Sequence, residues 1–86
     1  MENQELITEV IRSIEPLFQK KPNVIYEVRL VNQPFAEQMN IFFEWGRIGH
    51  ATISRQIKAV HHIGMDQVLT FKKELAKRLS IPIRVD

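Results

Sequence analysis

The sequence predicts an α+β domain: an antiparallel sheet of three to four strands with an N-terminal and a C-terminal helix, in the order αβββα, with room for a short edge strand at the C-terminus. Three observations lead there. Apolar residues recur at helical spacing near both ends of the chain. Between them, from Asn23 to about Val60, the period changes to two. The 86 residues, 44% hydrophobic and 26% charged, suit one small globular domain spanning 1–86. A core of this size hides only roughly 60 to 65% of the unfolded surface.

The first helix is predicted over residues 3–21. Leu6, Ile7, Val10, Ile11, Ile14, Leu17 and Phe18 make one apolar stripe. Glu2, Glu5 and Glu9 lie near its start and Lys20 and Lys21 near its end, matching the two poles of a helix dipole. Pro16 removes a hydrogen bond and clashes with the preceding turn. The helix therefore either kinks there or ends near Ser13 and resumes as a short turn, and Pro22 closes the segment. In the strand that follows, Val24, Tyr26, Val28 and Leu30 share one face, and Ile25, Glu27, Arg29 and Val31 the other. Asn32 to Gln38 contains Pro34 and reads as a connection. A second strand, about Met39 to Trp45, places Met39, Ile41, Phe43 and Trp45 together, and Gly46 to Gly49 reads as a turn or bulge.

The third strand directs Ala51, Ile53, Ile57 and Ala59 one way, with Arg55 interrupting, and Thr52, Ser54, Gln56 and Lys58 toward solvent. His61 to Gly64 reads as a loop. Asp66 is the expected N-cap of a helix reaching about Leu79, with Val68, Phe71, Leu75 and Leu79 inward and Lys72, Lys73, Lys77 and Arg78 outward. Pro82 limits the last residues to an edge strand or an extended tail.

Composition excludes several function classes. The chain has no cysteine, so disulfide scaffolds, thiolate metal sites and cysteine nucleophiles are ruled out. No apolar run is long enough for a transmembrane helix, and the acidic start does not read as a signal peptide. The expectation is a cytoplasmic protein with no membrane partner. No serine lies in a G-x-S-x-G context, and the histidines at 50, 61 and 62 lack metal-ligand spacing, which reads them as surface residues. The three glycines form no phosphate loop. No enzyme, cofactor or metal is expected. Charge is uneven: residues 1–44 carry −3 and residues 45–86 carry +5, within a net charge of +2. The cations of the second half either form a solvated surface or converge to attract phosphates.

Trp45-Gly46-Arg47-Ile48-Gly49 holds the only tryptophan and two of the three glycines. Tryptophan offers a flat face, glycine lets a backbone approach closely, and arginine presents a planar fork to phosphate. Together they suit a surface that stacks on a sugar or base and holds its phosphate. A purely structural role is also open, with Trp45 in the core, Gly46 and Gly49 shaping a turn, and Arg47 paired with Glu44 or Glu27.

This segment resembles the core of the WGR domain, a module of DNA-break-sensing poly(ADP-ribose) polymerases and of bacterial proteins. Tyr26-Glu27-Val28-Arg29-Leu30 resembles that module's opening strand, and Val68, Phe71 and Leu75, with Lys72 and Lys77, its closing helix. The resemblance spans about residues 24–79. The chain differs in carrying Ala51 and Thr52 where many members have a further glycine, and in its N-terminal helix. The resemblance implies a non-catalytic module whose Trp45 and Arg47 meet DNA ends and neighbouring domains. Charge alone adds Arg55 and Lys58 as phosphate contacts.

Two function readings follow. The first is a nucleic-acid-binding module, with DNA favoured over RNA, using Trp45, Arg47, Arg55 and Lys58. The second is a small protein-interaction or inhibitor module of bacterial or phage type, resting on size and on Phe35 and Phe42, with a homodimer through the N-terminal helix allowed.

Overall fold

The computed structural model describes residues 3–86. The elements run α1 (Asn3–Ile14), β1 (Val24–Gln33), a 3₁₀ turn (Pro34–Ala36), β2 (Gln38–Arg47), β3 (Ile53–His61), α2 (Met65–Arg78) and β4 (Ile83–Val85). This is an α+β arrangement in which both helices supply core side chains to one face of a four-stranded sheet ordered β3-β2-β1-β4.

α1 buries Leu6, Ile7, Val10 and Ile14. It ends at Ile14, the second of the two outcomes open at Pro16, and so does not fill the whole predicted span to Lys21. Proline 16 has no N–H to continue the ladder, and its ring disfavours helix for the residue before it. The chain continues as a turn in which the Leu17 and Phe18 amides both donate to the Ile14 carbonyl, at 2.8 and 2.9 Å. Leu17 and Phe18 still pack on the core. Lys20 and Lys21 therefore do not serve the pole of α1, whose last turn carries Arg12 instead. Glu2 lies outside the described residues.

β1 and β2 form one long antiparallel hairpin, in register from Val24↔Arg47 to Gln33↔Gln38. Val28, Leu30, Met39, Ile41 and Phe43 are fully buried on its inner face. β3 pairs antiparallel with β2, but the register shifts between Ile41 and Phe42: Lys58 faces Ile41 and Gln56 faces Phe42, leaving Ile57 as the extra residue of a bulge. The bulge corrects the alternation expected for β3. Beyond it Lys58 lies on the helix side of the sheet and Ala59 on the outer side.

α2 begins after Gly64, whose amide donates to Gln67 Oε1 at 2.9 Å. Asp66 falls in the first turn rather than at the N-cap, where its charge still suits the dipole. Val68, Phe71 and Leu75 are fully buried, as predicted. The C-terminal strand forms, and it runs parallel to β1, so the sheet is mixed rather than antiparallel throughout. The cause is topological: α2 carries the chain back along the sheet, and β4 then sets out in the direction of β1. Pro82 stands just before β4, where only its carbonyl is used, accepting from the Val28 amide at 2.9 Å.

Candidate nucleic-acid interface

Because α1 stops at Ile14, the inner face of the sheet is left open where β1 begins and β2 ends. Alternation carries the apolar row of β2 from Phe43 out to Trp45. The rings run in a ladder from the α1–β1 segment into this end. Phe18 meets Tyr26 edge-on at 4.8 Å, Tyr26 stacks with Phe43 at 5.9 Å, and Phe43 meets Trp45 at 5.5 Å. Trp45 is half-buried: one part of the ring belongs to the core and the rest lines a cavity.

That cavity has a volume of about 740 Å³. Tyr26 and Trp45 line it along the sheet. Leu17, Gln19, Lys21 and Pro22 join it from the α1–β1 segment, Arg47 from the end of β2, and His50 and Ala51 from the β2–β3 turn. Short backbone links fix these segments. The Lys21 amide donates to the Tyr26 hydroxyl at 3.1 Å. The Ile48 amide donates to the Asn23 carbonyl at 3.0 Å, tying the turn to the start of β1. The His50 amide closes the turn on the Arg47 carbonyl at 2.9 Å, with Gly49 at φ +83°, the third turn position where only glycine is comfortable. Gly46 answers a different need. A Cβ there would stand 3.1 Å from both the Ala51 carbonyl oxygen and the Thr52 Cα, so any side chain would push the returning backbone away by a few tenths of an ångström.

The cavity is lined by Lys21, Arg47 and His50 and by no acidic side chain. Arg47 is exposed and makes no ion pair among the described residues. Its two expected partners face the other side of the sheet and are engaged there: Glu44 lies 3.2 Å from Arg29, and Glu27 3.3 Å from Arg84.

Of the four residues singled out in the sequence, the structure brings Trp45 and Arg47 together. Arg55 lies beside them, exposed, on a shallow depression with Ser13, Pro16 and Ile57 that shares Leu17 with the cavity. Lys58 is separate. The bulge turns it toward α1, where its Nζ lies 2.6 Å from Glu9 Oε2. Sequence reasoning missed Lys21, Tyr26 and His50 as members of the site. The adjacent Lys20-Lys21-Pro22 ahead of a strand was the available signal for the first. His50, read as a surface residue, is on the surface and lines the cavity as well.

Among the described residues no helix is long and apolar enough to cross a membrane. Among the described residues no group of three His, Asp or Glu side chains could hold a metal ion. Comparison with protein-family models, with curated proteins and with solved structures gave no match.

Proposed function

We propose that this chain is a non-catalytic nucleic-acid-binding module of WGR type, binding DNA in preference to RNA through the open end of its sheet. The observation that carries the reading is the pairing, in one cavity, of two aromatic rings with Lys21, Arg47 and His50 and no carboxylate. Rings of this kind stack on bases, and unpaired cations beside them hold phosphates. Arg55 extends the positive surface along β3, whereas Lys58 is already neutralised by Glu9.

Titration with labelled single-stranded, nicked and blunt DNA, and with RNA, at two salt concentrations tests this, with Trp45 fluorescence as the probe. Affinity falls as salt rises, because binding releases counterions. Trp45→Ala weakens binding by about 1–3 kcal/mol where a base stacks on the ring. Arg47→Gln lowers the salt slope by about 1 and, being exposed and unpaired, shifts stability by less than about 0.5 kcal/mol. A folded protein that binds no nucleic acid at low salt overturns the proposal.

A protein partner is the second reading. It is supported by Phe35, fully exposed in the turn at the far end of the β1–β2 hairpin, and by the exposed Met65 and Leu69 on α2.

A further inference from the structure

We infer that the cavity is a receptor for one unpaired nucleotide, so that this end of the domain takes a base that has left the stack rather than the side of a duplex. The inference rests on the nucleic-acid reading above and deepens it by stating which part of the polymer enters.

Shape is the first argument. The cavity volume of about 740 Å³ lies within the roughly 300–1,000 Å³ of sites that enclose a single small ligand. A surface that tracked a duplex backbone would need cations spread along a ridge. Here the rings share one concavity with residues of the α1–β1 segment and of the β2–β3 turn. Inside a duplex both faces of a base are covered by its neighbours, and at a blunt end the free face belongs to a whole base pair, so a ring set in a concavity reaches a single base only after that base is unpaired.

Distribution of chemistry is the second argument. Tyr26 and Trp45 line the cavity from β1 and β2, whereas Lys21 comes from the α1–β1 segment, Arg47 from the end of β2 and His50 from the β2–β3 turn. Aromatic rings and cations lining one cavity match the two halves of a nucleotide, an apolar ring and an anionic phosphate. Gln19 supplies a side-chain amide for the base or sugar edge. Acids are kept away by the strand period, which turns Glu27 and Glu44 to the outer face.

The α1–β1 segment forms the third argument. Lys20 and Asn23, flanking Lys21-Pro22, both hold positive φ, +51° and +64°. Lysine rarely adopts this conformation, and such strain gathers where a segment shapes a binding site. The Tyr26 hydroxyl and the Ile48 amide hold the segment in place.

The test uses the full chain and four probes at one low salt concentration: a single strand, a duplex with a one-nucleotide overhang, a blunt duplex of equal length, and adenosine 5′-monophosphate. Labelled-strand anisotropy and Trp45 fluorescence are read together. The expected result is that the overhang and the single strand bind roughly 5–100-fold more tightly than the blunt duplex, the range set by stacking of one base. The monophosphate also quenches Trp45 and displaces the labelled strand. Arg47→Gln and Tyr26→Phe, each checked for an unchanged thermal transition, weaken the monophosphate and the strand in parallel. If all polymers bind equally and the monophosphate displaces none of them, the one-nucleotide receptor is overturned while nucleic-acid binding stands. If the monophosphate binds and no polymer does, the receptor stands with a free nucleotide as its occupant, and the polymer reading falls. If nothing quenches Trp45 and nothing binds, both fall.

Discussion

Arg29 and Arg84, on the outer face of the sheet, each meet carboxylates, whereas Arg47 and Arg55, at the uncovered end of the inner face, meet none among the described residues. The strand period produces the difference. Glu27 and Glu44 stand directly opposite each other on the outer face, a like-charge pair that is unfavourable alone. Arg29 reaches Glu44 and Asp86, and Arg84 reaches Glu27 and Asp86, so the outer face becomes a closed network. Arg29 also lies 5.1 Å over the Phe42 ring. One residue along on the same strands, the side chains are Tyr26, Val28, Phe43 and Trp45, and no acid is available to the cations at the end of that row. A net charge of +2 thus conceals a neutralised face and an unneutralised end. The neutralised cations stabilise the fold; the others are free for an external anion.

The strongest way to break this picture is to remove the support that joins core and cavity. Phe43 is fully buried and lies between Tyr26 and Trp45. Phe43→Ala should cost about 3–5 kcal/mol in urea unfolding, a large share of what a small domain has. A loss below about 1 kcal/mol would show that the ring ladder is not part of one packed core.

Exchanging the two kinds of arginine sharpens the comparison. Arg29→Ala leaves Glu44, only 14% exposed, opposite Glu27 without its main partner. It should lower stability by about 1–2 kcal/mol and leave nucleic-acid affinity unchanged. Arg47→Gln should do the reverse. Equal losses of affinity in both variants would move the binding surface to the outer face.

Much of the fold was legible because it rests on local period: the stripes of α1 and α2, the alternation of β1 and β2, and the inward row of Met39, Ile41, Phe43 and Trp45. What was not legible depends on long-range pairing. The bulge at Ile57 carries no glycine or proline to announce it, and one inserted residue moves Lys58 to the helix side. The direction of β4 follows from how many times the chain reverses, which three residues cannot encode. Pro16 left two outcomes open, because Leu17 and Phe18 reach the core whether the helix continues or turns. The site was half legible. Trp45 and Arg47 are neighbours in sequence, but Lys21 and Tyr26 join Arg47 and His50 only once the hairpin register sets Val24 against Arg47.

Lys58 gives the smallest and most discriminating prediction. Read from the sequence it is a solvent-facing phosphate ligand; in the structure its charge is held at 2.6 Å by Glu9, with both side chains partly exposed. A pair of this kind is worth about 0.2–1 kcal/mol, since water competes for both ends. Lys58→Ala should therefore lower stability by no more than that in urea unfolding and leave the salt slope of nucleic-acid binding unchanged. Arg55→Ala, on the same strand but unpaired, should reduce the slope by about 1. The two residues differ by three positions and by one bulge. If Lys58→Ala changes the slope as much as Arg55→Ala does, the ion pair with Glu9 opens when the polymer binds, and the boundary between structural and binding cations lies further along β3 than the bulge.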